Sequence, residues 1–389
     1  QWVGMLHDDF RWTADAEFAA RHFETLTRFW DGLLQTVDSD GIWRATSDRG
    51  FVLGDLRTSE EPRLGESSGV ITPWLVDRLR DSAELATAVG EDSMASTWDA
   101  SAARIADAFR LRHVRPLADG TPVVPDVLAR DGAARGLTQA GQIPALLDGL
   151  IDGEDAQRAI DFAFPAPDAT PPAGVARWNN PTWSYRVLRM LSRHGHTERA
   201  VRHLRERFLP YLPASRRNPT APGFVGPYGG PLPEYWVSSE DIGAEPGEIN
   251  GFQPLDPTGS HGWAAVPLLW MHDSLLGVTI VSPGGDELMI APESGGLPFV
   301  GGYTNTPHGV VYVYFDPQSL RLEVTVPDGA TARLLFPSAC RGVVMRHCAT
   351  GHEEGGEHAV VLTGGNHVFE PARPTWPRST DANEASSRT

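Results

Sequence analysis

The sequence predicts a mainly α fold of helical hairpins, an (α/α)6-like toroid that this chain fills in part, followed by an antiparallel β-sandwich. Three observations predict it. Apolar residues recur at helical spacing up to about residue 276, then give way to short β-branched runs. The helical segments pair through short turns. The connections between successive pairs are long, rich in proline and glycine, and aromatic. The boundaries that follow are a helical domain over 1–276, a β-sandwich over 277–371 and a polar tail over 372–389 with the composition of disorder.

Each element has its own warrant. Phe18, Phe23, Leu26, Phe29, Trp30, Leu33 and Val37 form one helical stripe, Ile71, Trp74, Leu75, Leu79 and Leu85 a second, and Trp98, Ile105 and Phe109 a third. "LTQAGQIPALLDGLI" and "DAQRAIDFAF" read as a helix pair. So do "TWSYRVLRMLSRHG" and "TERAVRHLRERF", with Gly195 ending the first and Thr197 capping the second. "GWAAVPLLWMHDSLLG" is the last helix, with Pro267 in its first turn or kinking it. That makes roughly eight or nine helices of ordinary length, fewer than a closed ring of six hairpins needs. The long connections are 41–69, 114–137 and 208–260. Beyond them "GVTIVS", "ELMIAP", "GVVYVYFD", "LRLEVTVP", "TARLLFP", "RGVVMRH" and "HAVVLTG" read as strands.

Composition narrows the partners. The net charge is −17, which disfavours nucleic acid, anionic membranes and polyanionic substrates; a neutral carbohydrate fits best. The basic residues are all arginine, so Schiff-base and P-loop lysine chemistry are excluded. No apolar run is long enough to span a bilayer. Cys340 and Cys348 are free thiols or one hairpin disulfide, and they leave the compartment open, cytoplasmic ahead of secreted. The opening "QWVGMLHDD" lacks an initiator Met and reads as a truncated start.

The segment 210–260 is the strongest candidate site. It holds ten prolines and eight glycines, yet also Phe224, Tyr228, Tyr235, Trp236 and Phe252. Disordered segments are poor in aromatics, so it reads as an ordered wall. In "PLPEYW", prolines fix the backbone of Glu234 and the aromatics lower the local dielectric. That raises a carboxyl pKa and suits a general base or acid; a capping Glu is the plain alternative. His261 and Trp263 open the last helix, where they bind a ligand or are satisfied locally. Trp236 and Trp263 stack on a sugar or pack in the core. Asp55 and Arg57 form a hydroxyl-binding pair or a surface turn. "GESSG" lacks the strand a nucleophile elbow needs, so Ser67 or Ser68 reads as an N-cap. "VDSDG" lacks the later calcium ligands and reads as a helix-ending turn. "GHEEGGEH" lacks zinc-site spacing; no metal and no cofactor is called.

Taken in order, the segments resemble the catalytic portion of bacterial α-L-rhamnosidases of glycoside hydrolase family 78, among the six-hairpin glycosidases. "DDFRWTADAEFAARHFETLTRFWDGLLQTVDSDGIW" is similar to the helix after the family's acid motif, and "VLGDL" to its Gly-Asp-Trp loop. "GLTQAGQIPALLDGL" resembles its Thr-Gln helix, "GGPLPEYW" its Thr-Thr-x-Trp-Glu-x-Trp segment, and "GSHGWAAVPLLWMHDSLLGV" its Asn-His-containing last helix. The resemblance runs over about residues 8 to 330. It implies inverting hydrolysis of α-L-rhamnosides or related neutral deoxy-sugar glycosides, with Glu234 as general base. Trp236, His261 and Asp55 are implied as substrate contacts. Leu56 stands where the family has Trp, and Leu232 and Pro233 where it has the paired Thr and Trp. The family's acid motif has no counterpart here, which places the acid upstream of Gln1, with Asp8, Asp9, Glu240 or Asp241 as substitutes. Two other readings stay open. One is a catalytically silent carbohydrate-binding relative or fragment. The other is a polysaccharide lyase on the same toroid, using Tyr235 and His261.

Overall fold

The structure is a computed structural model, and it describes residues 1–46, 61–167, 169–177, 181–208 and 262–373. The chain divides into two compact units, Gln1–Ser274 and Leu275–Thr389.

The first unit is built of helical hairpins. Its helices are α1 (Trp2–Thr13), α2 (Ala16–Leu34), α3 (Ile71–Ala88), α4 (Asp92–Arg112), α5 (Gln139–Leu147), α6 (Gly153–Ala163), α7 (Ser184–Arg193), α8 (Thr197–Phe208) and the short α9 (Pro267–Trp270). Within a hairpin the link is short: α1 turns at Ala14, in a left-handed conformation, and α7 at Gly195. Asp15 caps α2 through the Phe18 amide. Helices α1, α3, α5 and α7 touch one another in sequence, and each packs against the helix that follows it. His7 and Arg11 of α1 meet Glu84 of α3, and Gly4 leaves room for the Arg78 guanidinium, so the two run parallel. Their N-terminal ends therefore lie on one side. A fourth long connection, 164–183, joins the three read from the sequence.

Between the layers, large aromatic side chains are buried. Trp30 is 1% exposed and its indole N–H donates to Ser82 at 2.8 Å. Trp98 lies against Phe23, and His113 stacks on Phe109 at 5.0 Å. Burial pushes the His113 imidazole down to about 3, so it sits in the core as a neutral ring. The predicted stripe on α2 holds at Leu26 and Trp30 but not at Phe29, which is 43% exposed and packs edge-on against Trp2 and Trp30. The last helix is broken. A 3-10 turn (Gly262–Ala265) precedes α9, Pro267 occupies its first position, and a π turn (Met271–Leu275) follows. Trp270 anchors it by donating to Ser192 at 2.9 Å.

The connections carry small strands: β1 (Ser67–Ser68), β2 (Arg115–Pro116), β3 (Pro122–Val123), β4 (Val127–Leu128) and β5 (Ala134–Arg135). β1, β4 and β5 form a three-stranded antiparallel sheet. Gly69 is required beside it, because a Cβ there would run into the carbonyl of Pro125.

The second unit is a sandwich of two sheets. The larger has the order β13 (Glu353–Gly355), β12 (Val344–His347), β15 (Gly365–Pro371), β10 (Arg321–Val326), β9 (Gly309–Asp316), β8 (Val300–Thr306). The smaller has the order β14 (Ala359–Leu362), β11 (Thr331–Leu335), β7 (Glu287–Ile290), β6 (Val278–Ile280). Strict alternation buries Val311, Val313, Phe315, Leu322 and Val324 from one sheet and Leu288, Ile290, Ala332 and Leu334 from the other. One pair departs from the antiparallel expectation. β7 and β11 are parallel, because the chain crosses to the larger sheet for β8–β10 before it returns. Cys340 and Cys348 are both free.

Candidate functional site

The first turn of α5 ties together the connections 114–137 and 164–183. Thr138 caps the helix through the Gly141 amide at 3.0 Å, and its hydroxyl donates to buried Asp126 at 2.8 Å. Gln139 donates to the carbonyls of Ala163 and Ala169 at 2.6 and 2.8 Å, which closes α6 and opens the fourth connection. Gln142 clamps both polar groups of Val124, accepting from its N–H and donating to its carbonyl, each at 2.7 Å. A Cβ on Gly141 would stand 2.7 Å from the Asp126 carboxylate, so glycine lets helix and loop meet this closely. Across the small sheet, Arg135 forks onto Glu66 at 2.7 and 2.8 Å and holds that carboxyl down at about 2. Ser68 accepts from the amides of Val70 and Ile71 at the start of α3, in the capping role expected of "GESSG". Asp38 of "VDSDG" accepts from the amides of Asp40 and Ile42 and from Arg44, as the turn reading requires.

Beside these connections the parallel helices present a polar face. Trp74 of α3 stacks on Trp183 with centroids 5.5 Å apart and planes 13° from parallel. The Arg186 guanidinium lies over both rings, at 5.0 and 5.3 Å. Further along α3 come Asp77, Arg78, Asp81 and Glu84, with Arg78 bridging Asp77 and Asp81. His7 donates to Glu84 at 2.8 Å and lies 3.4 Å from Asp81. The hydrogen bonds from His7 and Arg11 hold Glu84 at about 2. Burial instead lifts Asp81 to about 6, against the pull of Arg78 and His7. On α7, Tyr185 donates to Asp273 at 2.8 Å; Asp273 sits in the π turn and also accepts from Ser274. Asp8, a substitute for the missing acid in the sequence reading, is exposed on α1 and close enough to repel Asp81.

At the far end of α5, burial and the nearby Asp77 push Asp148 up to about 8. A folded pKa above the unfolded value contributes stability that is complete below about 4 and lost as the pH rises through about 8. Asp148→Asn is therefore expected to leave stability nearly unchanged at pH 4 and to raise it by up to a few kcal/mol at pH 8. Thermal melts of both proteins at the two pH values check this; equal shifts at both would refute it.

The residues singled out from the sequence fall elsewhere. Glu234, Asp55, Arg57, Trp236 and His261 lie outside the described residues, as do Asp241 and Glu240. Trp263 is placed by its backbone in the 3-10 turn before α9, and its side chain lies outside the description. What sequence reading missed is the α3 polar face and the Thr138–Gln139–Gln142 clamp. The signal for the clamp is present, since polar side chains recur at i, i+1 and i+4 where the apolar pattern calls for core. Among the described residues no group of His, Cys, Asp and Glu could hold a metal ion, and no helix is long and apolar enough to cross a membrane.

In chemical terms the face offers paired carboxylates and guanidinium groups beside an indole stack whose Trp183 is buried. Such an array suits a neutral ligand with many hydroxyls, each met by a fixed donor or acceptor.

No protein-family model matches the chain, and no curated protein does. Solved structures do. The GH78 family rhamnosidase of Bacillus sp. GL1 is 21% identical, with a TM-score of 0.64 over 81% of this chain and 30% of its own. The α-L-rhamnosidase from Dictyoglumus thermophilum is 14% identical, with a TM-score of 0.65 over 95% of this chain and 39% of its own. The Streptomyces avermitilis α-L-rhamnosidase complexed with L-rhamnose is 21% identical, with a TM-score of 0.62 over 93% of this chain and 31% of its own. The chain thus has the fold of part of these proteins, helical hairpins followed by a β-sandwich, and spans 30–39% of their length.

Proposed function

We propose that the chain carries the base-side half of a glycoside hydrolase site that acts by inversion on α-L-rhamnosides or related neutral deoxy-sugar glycosides. One observation carries the reading. The fold, helical hairpins followed by a β-sandwich, is shared with three α-L-rhamnosidases over 81–95% of this chain. The polar face of α3 supports it, because fixed carboxylates and guanidinium groups can meet sugar hydroxyls.

In this reading Glu234, framed by prolines and aromatics, takes a proton from water as that water attacks the anomeric carbon. Asp55, Arg57, Trp236, His261 and Trp263 hold the sugar. A second carboxyl on the opposite side of the bond, roughly 6.5–9.5 Å away, protonates the leaving oxygen. No cofactor enters the reaction.

Hydrolysis of an aryl α-L-rhamnoside, followed by NMR of the released sugar, tests the proposal. The expected first product is the β-anomer, which then mutarotates. Release of the α-anomer would remove the inverting mechanism. No turnover, combined with saturable sugar binding, would instead support a silent binding relative.

A further inference from the structure

We propose a second carbohydrate-binding site, on the outer face of the larger sheet of the β-sandwich. Its ligand is a neutral oligosaccharide. The site stands on the second unit alone and does not depend on the hydrolase reading.

The face is laid out by strand register. On β8 the outward residues are Gly301, Tyr303 and Asn305, and on β9 Tyr312, Tyr314 and Asp316. Tyr303 is opposite Tyr312 with ring centroids 5.3 Å apart, and Gly301 is opposite Tyr314. A Cβ on Gly301 would sit 3.0 Å from the Tyr314 ring, so the ring lies across the glycine. Phe299 continues the array, stacked on Tyr314 at 6.2 Å. The result is a row of aromatic rings across the edge strand β8 and its neighbour β9, with Tyr303 67% and Phe299 56% exposed.

Edge strands are ordinarily blunted by charge, proline or a bulge. The outward side of β8 has none of these. A cross-strand tyrosine pair also stabilises a sheet, but that role does not need an exposed Phe299 beside it. Exposed apolar patches rimmed by polar groups mark binding surfaces.

Charge selects the occupant. On the same face Arg321, opposite Asp316, is bound by Glu323 at 2.8 Å and by Glu370. Thr325 donates to Asn366 at 2.8 Å on the same face. The rim therefore offers carboxylates, phenols and amides to a ligand, and its cation is already paired. An anionic polymer is repelled, whereas sugar hydroxyls can donate to Glu323 and Asp316. The C–H face of a pyranose can lie on Tyr303 and Tyr312.

Hydroxyl-radical footprinting of the intact chain tests the site. The probes are L-rhamnose, cellohexaose and maltohexaose, with hexagalacturonate as the anionic counterpart. At least one neutral probe is expected to protect Tyr303 and Tyr312, and hexagalacturonate neither. Tyr303→Ala is expected to weaken binding of that probe by roughly three- to tenfold, while Val361→Ala, exposed on the other sheet, leaves it unchanged. No protection by any neutral probe overturns the proposal. Equal protection by hexagalacturonate overturns the choice of ligand. A sugar-independent dimer that Tyr303→Ala dissolves, seen by light scattering, assigns the face to a second copy and also overturns it.

Discussion

Glu234→Gln is expected to lower kcat on an aryl α-L-rhamnoside by on the order of 10³-fold while leaving sugar binding within about twofold. The amide keeps the shape of the carboxylate and cannot accept a proton from water. Ground-state contacts to the sugar do not involve that proton, so KM stays close to its starting value. The loss falls on the transition state alone. Azide separates the role from a structural one, since this small anion needs no base. Added to Glu234→Gln, it is expected to restore part of the turnover and give a β-glycosyl azide. Activity above a tenth of the starting value, or a rise in KM without a fall in kcat, would take the base role away from Glu234. Loss of binding with activity would point to a positioning role in the wall of the site.

The hairpins were legible because two independent signals agree along them. Apolar residues recur at helical spacing, and short capped turns separate the members of a pair, as at Gly195. The sandwich was legible for the same kind of reason, since alternation along β9 and β10 is nearly unbroken. The polar face of α3 was not. Its stripe was read as Ile71, Trp74, Leu75, Leu79 and Leu85, which mixes two faces. Leu75, Leu79 and Leu85 of that stripe are buried together with Val76, Ala83 and Ala86, whereas Trp74 belongs with Asp77, Arg78, Asp81 and Glu84. A helix that faces protein on both sides can place charge on the inner one, and periodicity alone cannot tell that face from a solvated one. The parallel β7–β11 pair was hidden for a related reason, because strand patterns carry no direction. Phe29 was misplaced because an aromatic can pack edge-on beside Trp2 while remaining 43% exposed. The fourth connection, 164–183, is harder to read because its aromatics, Phe164, Trp178 and Trp183, stand outside the turn-forming stretch "PAPDATPPAG".

Gln142→Leu is expected to destabilise the first unit by about 2–4 kcal/mol, although leucine matches the side chain in size and suits a helix interior. The cost does not come from packing. Gln142 is 1% exposed and satisfies the N–H and the carbonyl of Val124, both in a connection whose backbone has no ladder at that point. Leucine would leave two buried backbone groups without partners, each costing about 1–3 kcal/mol. Gln142→Glu discriminates this from a steric effect. It keeps the acceptor for the Val124 N–H but places a carboxylate against the Val124 carbonyl, so it is expected to destabilise at neutral pH and recover on acidification as the carboxyl gains a donor proton. Val124 adjoins Asp126, which accepts from Thr138 at the start of α5. Releasing Val124 therefore loosens the wall of the candidate site as well as the fold. Urea unfolding of both variants at pH 5 and pH 7.5 measures the effect. A loss below about 1 kcal/mol for Gln142→Leu, or an identical pH response for both variants, would show that the connection holds its shape without the clamp.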